Sequence, residues 1–296
     1  PRATPTVVSN RVYTLGATGH LQCLDLATGR SLWSRSLTQD ARCSVPEWGF
    51  AGSPWVDSQR VVVHAGGRDG RSMLAYRPDT GEPLWNTGDA GINYASPFQV
   101  TLAGQPQLLI FGRKSLVSHN PSTGAVLWEH PFGTGMPLVA NPIVVTPNQI
   151  LITAGYNVGA ELLELESPTN APRTVWASKR LKAKFANPVK YGDFVYGLDD
   201  GMLACLDLKD GSQRWKEGRY GHGQGLWIRH QYLLMSETGD LVLLQPTPEG
   251  PHELARVRVF DSKTWNPIAL SGDRLLVRND REAACFLVPL ESTALK

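Results

Sequence analysis

A single phrase returns along this sequence and limits what the chain can fold into: an Asp or Asn, a Gly-bearing turn, and a tryptophan four residues after the glycine. It reads Cys23-Leu-Asp25-Leu-Ala-Thr28-Gly29-Arg-Ser-Leu-Trp33, then Ala75-Tyr-Arg-Pro-Asp-Thr80-Gly81-Glu-Pro-Leu-Trp85, then Ser118-His-Asn120-Pro-Ser-Thr123-Gly124-Ala-Val-Leu-Trp128. A later copy, Cys205-Leu-Asp207-Leu-Lys-Asp210-Gly211-Ser-Gln-Arg-Trp215, carries Asp in place of Thr, and a degenerate copy ends at Trp176. The tryptophans recur roughly every 40 to 50 residues, the period of a four-stranded unit repeated around an axis.

A second phrase precedes the first in each unit. It is a small residue and a proline: Ala3-Thr4-Pro5, Gly52-Ser53-Pro54, Ala95-Ser96-Pro97, Ala140-Asn141-Pro142, Ala186-Asn187-Pro188, and Trp265-Asn266-Pro267 as the variant. Behind these entries come β-rich runs such as Arg11-Val-Tyr-Thr-Leu and Asp193-Phe-Val-Tyr-Gly, and then hairpin turns such as Asp69-Gly70 and Asp199-Asp200-Gly201, where glycine supplies positive φ. In the second turn of a unit, Asp25 or Asn120 can hold nearby amides while Gly29 or Gly124 takes the left-handed position. The tryptophan then falls in an outer strand, facing the neighbouring unit.

One such sheet cannot bury both of its faces, but radial stacking lets every unit cover the next. The sequence therefore predicts an all-β propeller of four-stranded antiparallel blades. Seven repeats are visible, beginning near residues 3, 51, 94, 139, 185, 221 and 264, the sixth diverging around Gly221-His-Gly-Gln-Gly-Leu-Trp227. The last repeat lacks its Gly-x-x-x-Trp strand. The expectation is a single domain over residues 1–296 from which an N-terminal closing strand or blade is missing.

Composition narrows the function classes. Lys and Arg number 29 against 27 Asp and Glu, a balance that implies no nucleic-acid partner and no anionic membrane surface. No apolar run approaches the roughly 20 residues of a membrane-spanning helix, so no membrane insertion is expected. The sequence has no G-x-S-x-G, H-E-x-x-H, G-x-x-x-x-G-K or strand-borne G-x-G-x-x-G motif, which removes the local support for hydrolase, zinc-protease and nucleotide readings. The seven histidines are scattered, and each reads as solvated or satisfied rather than as a metal ligand. Cys23, Cys43, Cys205 and Cys285 include no C-x-x-C or adjacent pair, and Cys23, Cys205 and Cys285 occupy similar strand contexts. All are expected to be buried structural thiols. Lys179, Arg180, Lys182 and Lys184 form the one basic run and read as a strand edge protected from pairing by its charge.

The candidate site lies just before the small–Pro entries, since these connections should gather at one end of the axis. Glu47, Trp48, Asn93, Tyr94, Met136, Lys184, Phe185, His222, Trp265 and Asn266 stand there. Aromatic and polar side chains at such a mouth suit a peptide or small-molecule ligand. The competing reading is that Trp48, Tyr94 and Trp265 plug the channel.

The phrase from Cys23 to Trp33 resembles the A-x-D-x-x-T-G-x-x-x-W repeat of the pyrroloquinoline-quinone (PQQ) type quinoprotein propellers and of the BamB-like outer-membrane assembly proteins. The likeness extends over nearly the whole chain. It implies four-stranded blades docked by tryptophan, an intact member of seven or eight blades, and a bacterial, periplasmic or secreted protein. It also implies structural roles for Asp25, Gly29, Trp33, Gly81, Trp85, Gly124, Trp128, Trp176, Asp207, Gly211 and Trp215. Quinoprotein dehydrogenases of the superfamily are about twice as long, and hold PQQ beneath an adjacent-cysteine disulfide with Ca²⁺ and a catalytic Asp. This sequence has no adjacent cysteines and no matching cluster of Glu, Asn and Asp. The expectation is a non-catalytic scaffold recognising protein or peptide partners, with no cofactor and no metal. The alternative is a PQQ-dependent enzyme or small-molecule binder with Lys184 or Arg2 at the quinone carboxylates and Glu47 or Asn93 near the cation.

Overall fold

The computed structural model describes residues 2–288. Pro1 and residues 289–296, which the single-domain expectation includes, lie outside the described residues. Among those described, six four-stranded antiparallel sheets and one three-stranded sheet follow one another along the chain, each a simple meander of sequential strands. These are the blades of a β-propeller. The one helix among them, Leu37–Asp40, is a single turn after the outer strand of blade 1.

The chain divides into two compact units, Pro1–Trp176 and Ala177–Lys296. The first holds blade 1 (Thr6–Val8, Arg11–Leu15, His20–Asp25, Ser31–Ser36), blade 2 (Trp55–Val56, Val61–His64, Met73–Tyr76, Pro83–Thr87) and blade 3 (Phe98–Leu102, Gln105–Phe111, Ser115–His119, Val126–Pro131). Blade 4 follows (Ile143–Thr146, Gln149–Ala154, Gly159–Glu164), and its outer strand, Arg173–Ser178, runs over the boundary. The second unit holds blade 5 (Val189–Tyr191, Phe194–Asp199, Met202–Asp207, Gln213–Glu217), blade 6 (Gln224–Ile228, Gln231–Met235, Asp240–Thr247, Gly250–Arg258) and blade 7 (Ala269–Ser271, Arg274–Arg278, Ala283–Leu287). Six of the seven blades begin just after a predicted entry, and blade 6 begins at Gln224, close to the predicted start of the divergent repeat near residue 221.

Middle strands are buried on both faces, as the stacking argument requires. Val61–His64, Met73–Tyr76 and Ser115–His119 are buried throughout. One core joins Tyr13, Leu15, Leu21 and Cys23 of blade 1 to Val61, Val63, Leu74 and Tyr76 of blade 2. A second core joins Tyr196, Leu203 and Cys205 of blade 5 to Tyr232, Leu234 and Val242 of blade 6.

The repeated turn forms as its residues predict. Asp25 Oδ1 accepts the Thr28 amide at 2.8 Å and the Thr28 hydroxyl at 2.6 Å, and Asn120 Oδ1 accepts the Ser122 amide at 2.8 Å. Lys209 donates its amide to Asp207 in the same way. Gly29, Gly81, Gly124 and Gly211 all have φ between 71° and 76°. The strand partner of each tryptophan is a small residue of the third strand: Cys23 for Trp33, Ala75 for Trp85, Ser118 for Trp128 and Cys205 for Trp215.

Two expectations need correction. Cys285 is exposed, unlike the buried Cys23 and Cys205. It stands opposite Leu276 as Cys23 stands opposite Tyr13 and Cys205 opposite Tyr196. In blades 1 and 5 a tryptophan-bearing fourth strand covers the thiol, whereas blade 7 has three strands among the described residues. Cys43 is half-buried in a loop, with its thiol 3.5 Å from the Ala65 carbonyl. The basic run from Lys179 to Lys184 forms no strand edge, because it lies in the connection between blades 4 and 5. Leu181 takes φ 57° there and is fully buried, which breaks the alternation that a strand would need. Lys182 instead turns to Asp199 and Asp200, 3.2 and 2.9 Å away.

Candidate functional site: aromatic loops at the blade entries

The first three entries are tied in sequence order. Thr4 donates its amide to Ser53 Oγ, and Ser53 donates its own amide to Ser96 Oγ, each at 2.9 Å. The small residue before proline thus links neighbouring entries, so the loops just before them start from fixed backbones.

In the first unit, Gly49 (φ 73°) lets the loop pass against Ala17, and Phe50 donates its amide to the Ala17 carbonyl at 2.9 Å. This presents Glu47 and Trp48 outward. Asn93 is buried and acts as the clasp of the next loop. Its amide nitrogen donates to the Gly112 carbonyl at 2.8 Å, and its oxygen accepts the Leu138 and Tyr94 amides at 2.7 and 3.1 Å. Asn93 therefore holds Tyr94 in place by backbone bonds. The rings of Trp48 and Tyr94 meet with centroids 5.5 Å apart, tilted by 59°. Burial raises the Tyr94 phenol above its ordinary pKa, with Glu47 adding to the rise and the Trp48 backbone and Arg2 opposing it. Trp48 remains 44% exposed and Met136 42%.

In the second unit, Phe185 is the centre. Its ring lies 5.1 Å from Trp265 and 5.4 Å from His222. Lys184 Nζ sits 5.3 Å above Phe185, and Lys263 Nζ sits 4.4 Å above Trp265, both within cation–π reach. Glu237 fixes the group: it accepts the His222 amide at 2.9 Å and a hydrogen bond from the Trp265 side chain. Burial would raise the Glu237 carboxyl, but these bonds and the nearby cations bring it below its ordinary value. Burial lowers the His222 imidazole, and Lys184 lowers it further. With its amide turned to satisfy both ends, Asn266 donates to the Arg278 carbonyl at 3.3 Å and accepts from the Arg278 guanidinium at 3.0 Å. Trp265 is 40% exposed.

The sequence-chosen residues thus form two aromatic groups, one in each unit: Glu47, Trp48, Asn93 and Tyr94, and Lys184, His222, Trp265 and Asn266. Sequence reasoning missed Glu237 and Lys263. Glu237 sits in a hairpin of blade 6, far in sequence from the residues it pins, and no local pattern marks it.

A family model described as outer membrane protein assembly factor BamB matches residues 1–217. A search of curated proteins returns no match. Among solved structures, BamB from Moraxella catarrhalis is similar with a TM-score of 0.69 and 16% identity, over 93% of this chain and 78% of that one. The quinohemoprotein alcohol dehydrogenase of Comamonas testosteroni gives 0.64 and 13%, over 92% of this chain and 62% of that one. A designed protein, Ika8, gives 0.59 and 12%, over 96% and 95%. At these identities the likeness is one of fold.

Proposed function

This chain belongs to the family of the outer membrane protein assembly factor BamB, and from that premise we propose that it is a non-catalytic scaffold that holds protein or peptide segments against its aromatic loops. The observation that carries the reading is the exposure of Trp48 and Trp265, 44% and 40%, beside backbone amides that are bonded to other loops, Phe50 to the Ala17 carbonyl and Thr264 to the Glu237 carbonyl, each at 2.9 Å. Large rings that are both rigid and solvent-facing supply contact area at low entropic cost, which is how aromatic anchors dominate protein interfaces. The BamB name also supports an extracytoplasmic location. No helix among the described residues is long and apolar enough to cross a membrane.

The second reading, a quinone-dependent dehydrogenase, draws on the shared fold of the quinohemoprotein alcohol dehydrogenases. Lys184 has the right charge for a quinone carboxylate. The rest of the donor set does not fit: Cys23 and Cys205 lie inside separate blades, and among the described residues no three His, Cys, Asp or Glu side chains are grouped to hold a metal.

The test is a peptide-array screen comparing the native chain with a Trp48→Ala, Tyr94→Ala, Trp265→Ala triple variant. Selective loss of binding supports the scaffold, and equal binding by both removes the proposed surface. Titration with PQQ and Ca²⁺, read by the quinone absorbance, decides the second reading separately.

A further inference from the structure

At the opposite ends of the strands from the aromatic loops, where the Thr-Gly turns lie, the first unit carries a groove of about 650 Å³. Its size is that of a small-ligand site. Arg11, Arg60 and Arg77 reach it. Arg60 is clamped by Asp57 at 2.9 Å and by the Pro121 carbonyl at 3.1 Å. Arg77 stands 3.6 Å from Glu82, with both side chains exposed. Arg11 differs from these two, because its guanidinium donates to a neutral group, the Pro78 carbonyl, at 3.1 Å. That bond fixes the guanidinium without cancelling its charge. Asp79 is the carboxylate among the lining residues, while Leu84, 37% exposed, and Trp85 form an apolar wall.

We infer that this groove binds an apolar monocarboxylate, the carboxylate on Arg11 and Arg77 and the apolar body against Leu84 and Trp85. A planar guanidinium matches the two oxygens of a carboxylate. Asp57 and Glu82 face two of the three guanidiniums and Asp79 stands among the lining residues, so the formal charges balance. Arg11, bonded to a neutral carbonyl, is the guanidinium left for a single carboxylate, and a polyphosphate would bring more charge than it can offset. The chemistry is that of an apolar amino acid with a free carboxyl group, whether as a free acylated residue or as the C-terminal end of a peptide. The inference is independent of the aromatic loops.

The experiment is calorimetric titration of the full chain with acetyl-leucine and with a tetrapeptide ending in leucine, each as the free acid and as the carboxamide, and with sodium sulfate. The acids are expected to bind about tenfold or more tighter than the amides, the worth of a charge-assisted hydrogen bond. Arg11→Gln keeps a donor for Pro78 and is expected to produce the same loss, as is Arg77→Gln, whose exposed side chain can be changed without threatening the fold. Asp79→Asn is expected to tighten binding. Tighter binding of the peptide acid than of acetyl-leucine identifies a chain terminus as the ligand, and equal binding identifies the free acid. Amides that bind as well as acids, sulfate that competes as well as either acid, or an Arg11→Gln variant that binds normally would each overturn the inference.

Discussion

A Cβ placed on Gly81 would sit 2.7 Å from the indole of Trp33, because the tryptophan of blade 1 packs directly on the turn glycine of blade 2. Gly124 stands in the same relation to Trp85, at 2.6 Å. The glycine and the tryptophan of the repeated phrase therefore act as partners across blades, each serving the neighbour's copy.

That relation separates two glycines with nearly the same backbone. Gly29 and Gly81 have φ of 71° and 73°, yet a Cβ at Gly29 meets nothing within 4 Å. Gly29→Ala is expected to cost about 1 kcal/mol, the left-handed penalty alone. Gly81→Ala adds displacement of a packed ring and is expected to cost about 3 kcal/mol. Urea midpoints decide the matter, and equal losses would show that the indole gives way freely.

The same tryptophan position also divides on its N–H. Trp33 Nε1 donates to the Pro78 carbonyl at 2.9 Å. At the matching carbonyl of blade 2, Pro121, Arg60 donates as Arg11 does at Pro78, but the buried Trp85 N–H has no acceptor. Trp33→Phe is expected to lose about 1 kcal/mol more than Trp85→Phe, since only the first removes a made hydrogen bond. Comparable losses from the two would refute the difference.

The sequence displayed the blades because the chemistry of each turn is local. Asp25 to Gly29 forms its turn from residues within five positions, so a reader of the chain meets every part of it at once. Tyr94 and Trp48 were visible as ring-bearing loop residues for the same reason. Glu237 was not, since its task is to hold His222 and Trp265, which approach it from other loops. Nor was the burial of Asn93, whose partners Gly112 and Leu138 belong to later connections. The exposure of Cys285 followed from a neighbouring strand rather than from its own surroundings in sequence, which match those of the buried Cys23 and Cys205.

The four thiols should consequently react in order of cover. Cys285 is exposed, Cys43 half-buried, and Cys23 and Cys205 fully enclosed. Burial raises the Cys43 and Cys23 thiols and pushes Cys205 up to about 11, so little thiolate forms at neutral pH. With an aromatic disulfide reagent at pH 8, one thiol is expected to react within seconds and a second slowly. Two should wait for denaturant. Mass mapping that found Cys23 or Cys205 labelled in the native protein would contradict this packing.

Acid should weaken the first unit through His64 and His119. His64 is 4% exposed and His119 fully buried. Nε2 of His64 donates to the Gly91 carbonyl at 2.7 Å, with the Ser72 hydroxyl 3.4 Å away, and Nδ1 of His119 donates to the Gly124 carbonyl at 2.9 Å. The remaining nitrogen of each ring is sealed from solvent without a partner. Burial, with a smaller contribution from His119, lowers His64 from 6.5 to about 4. His119 is lowered by burial too, against the Gly124 carbonyl and Glu129, which favour its charged form. The unfolded chain therefore takes up these protons first as the pH falls. Stability is complete above pH 6.5 and declines toward pH 4, by about 1.4 kcal/mol per pH unit for each histidine within its window. For His64 alone that amounts to roughly 3 kcal/mol. Urea denaturation at pH 7.5, 6 and 5 should show the slope, and His64→Gln, which keeps a donor for Gly91, should reduce it. A variant with the native slope would assign the acid sensitivity to other groups.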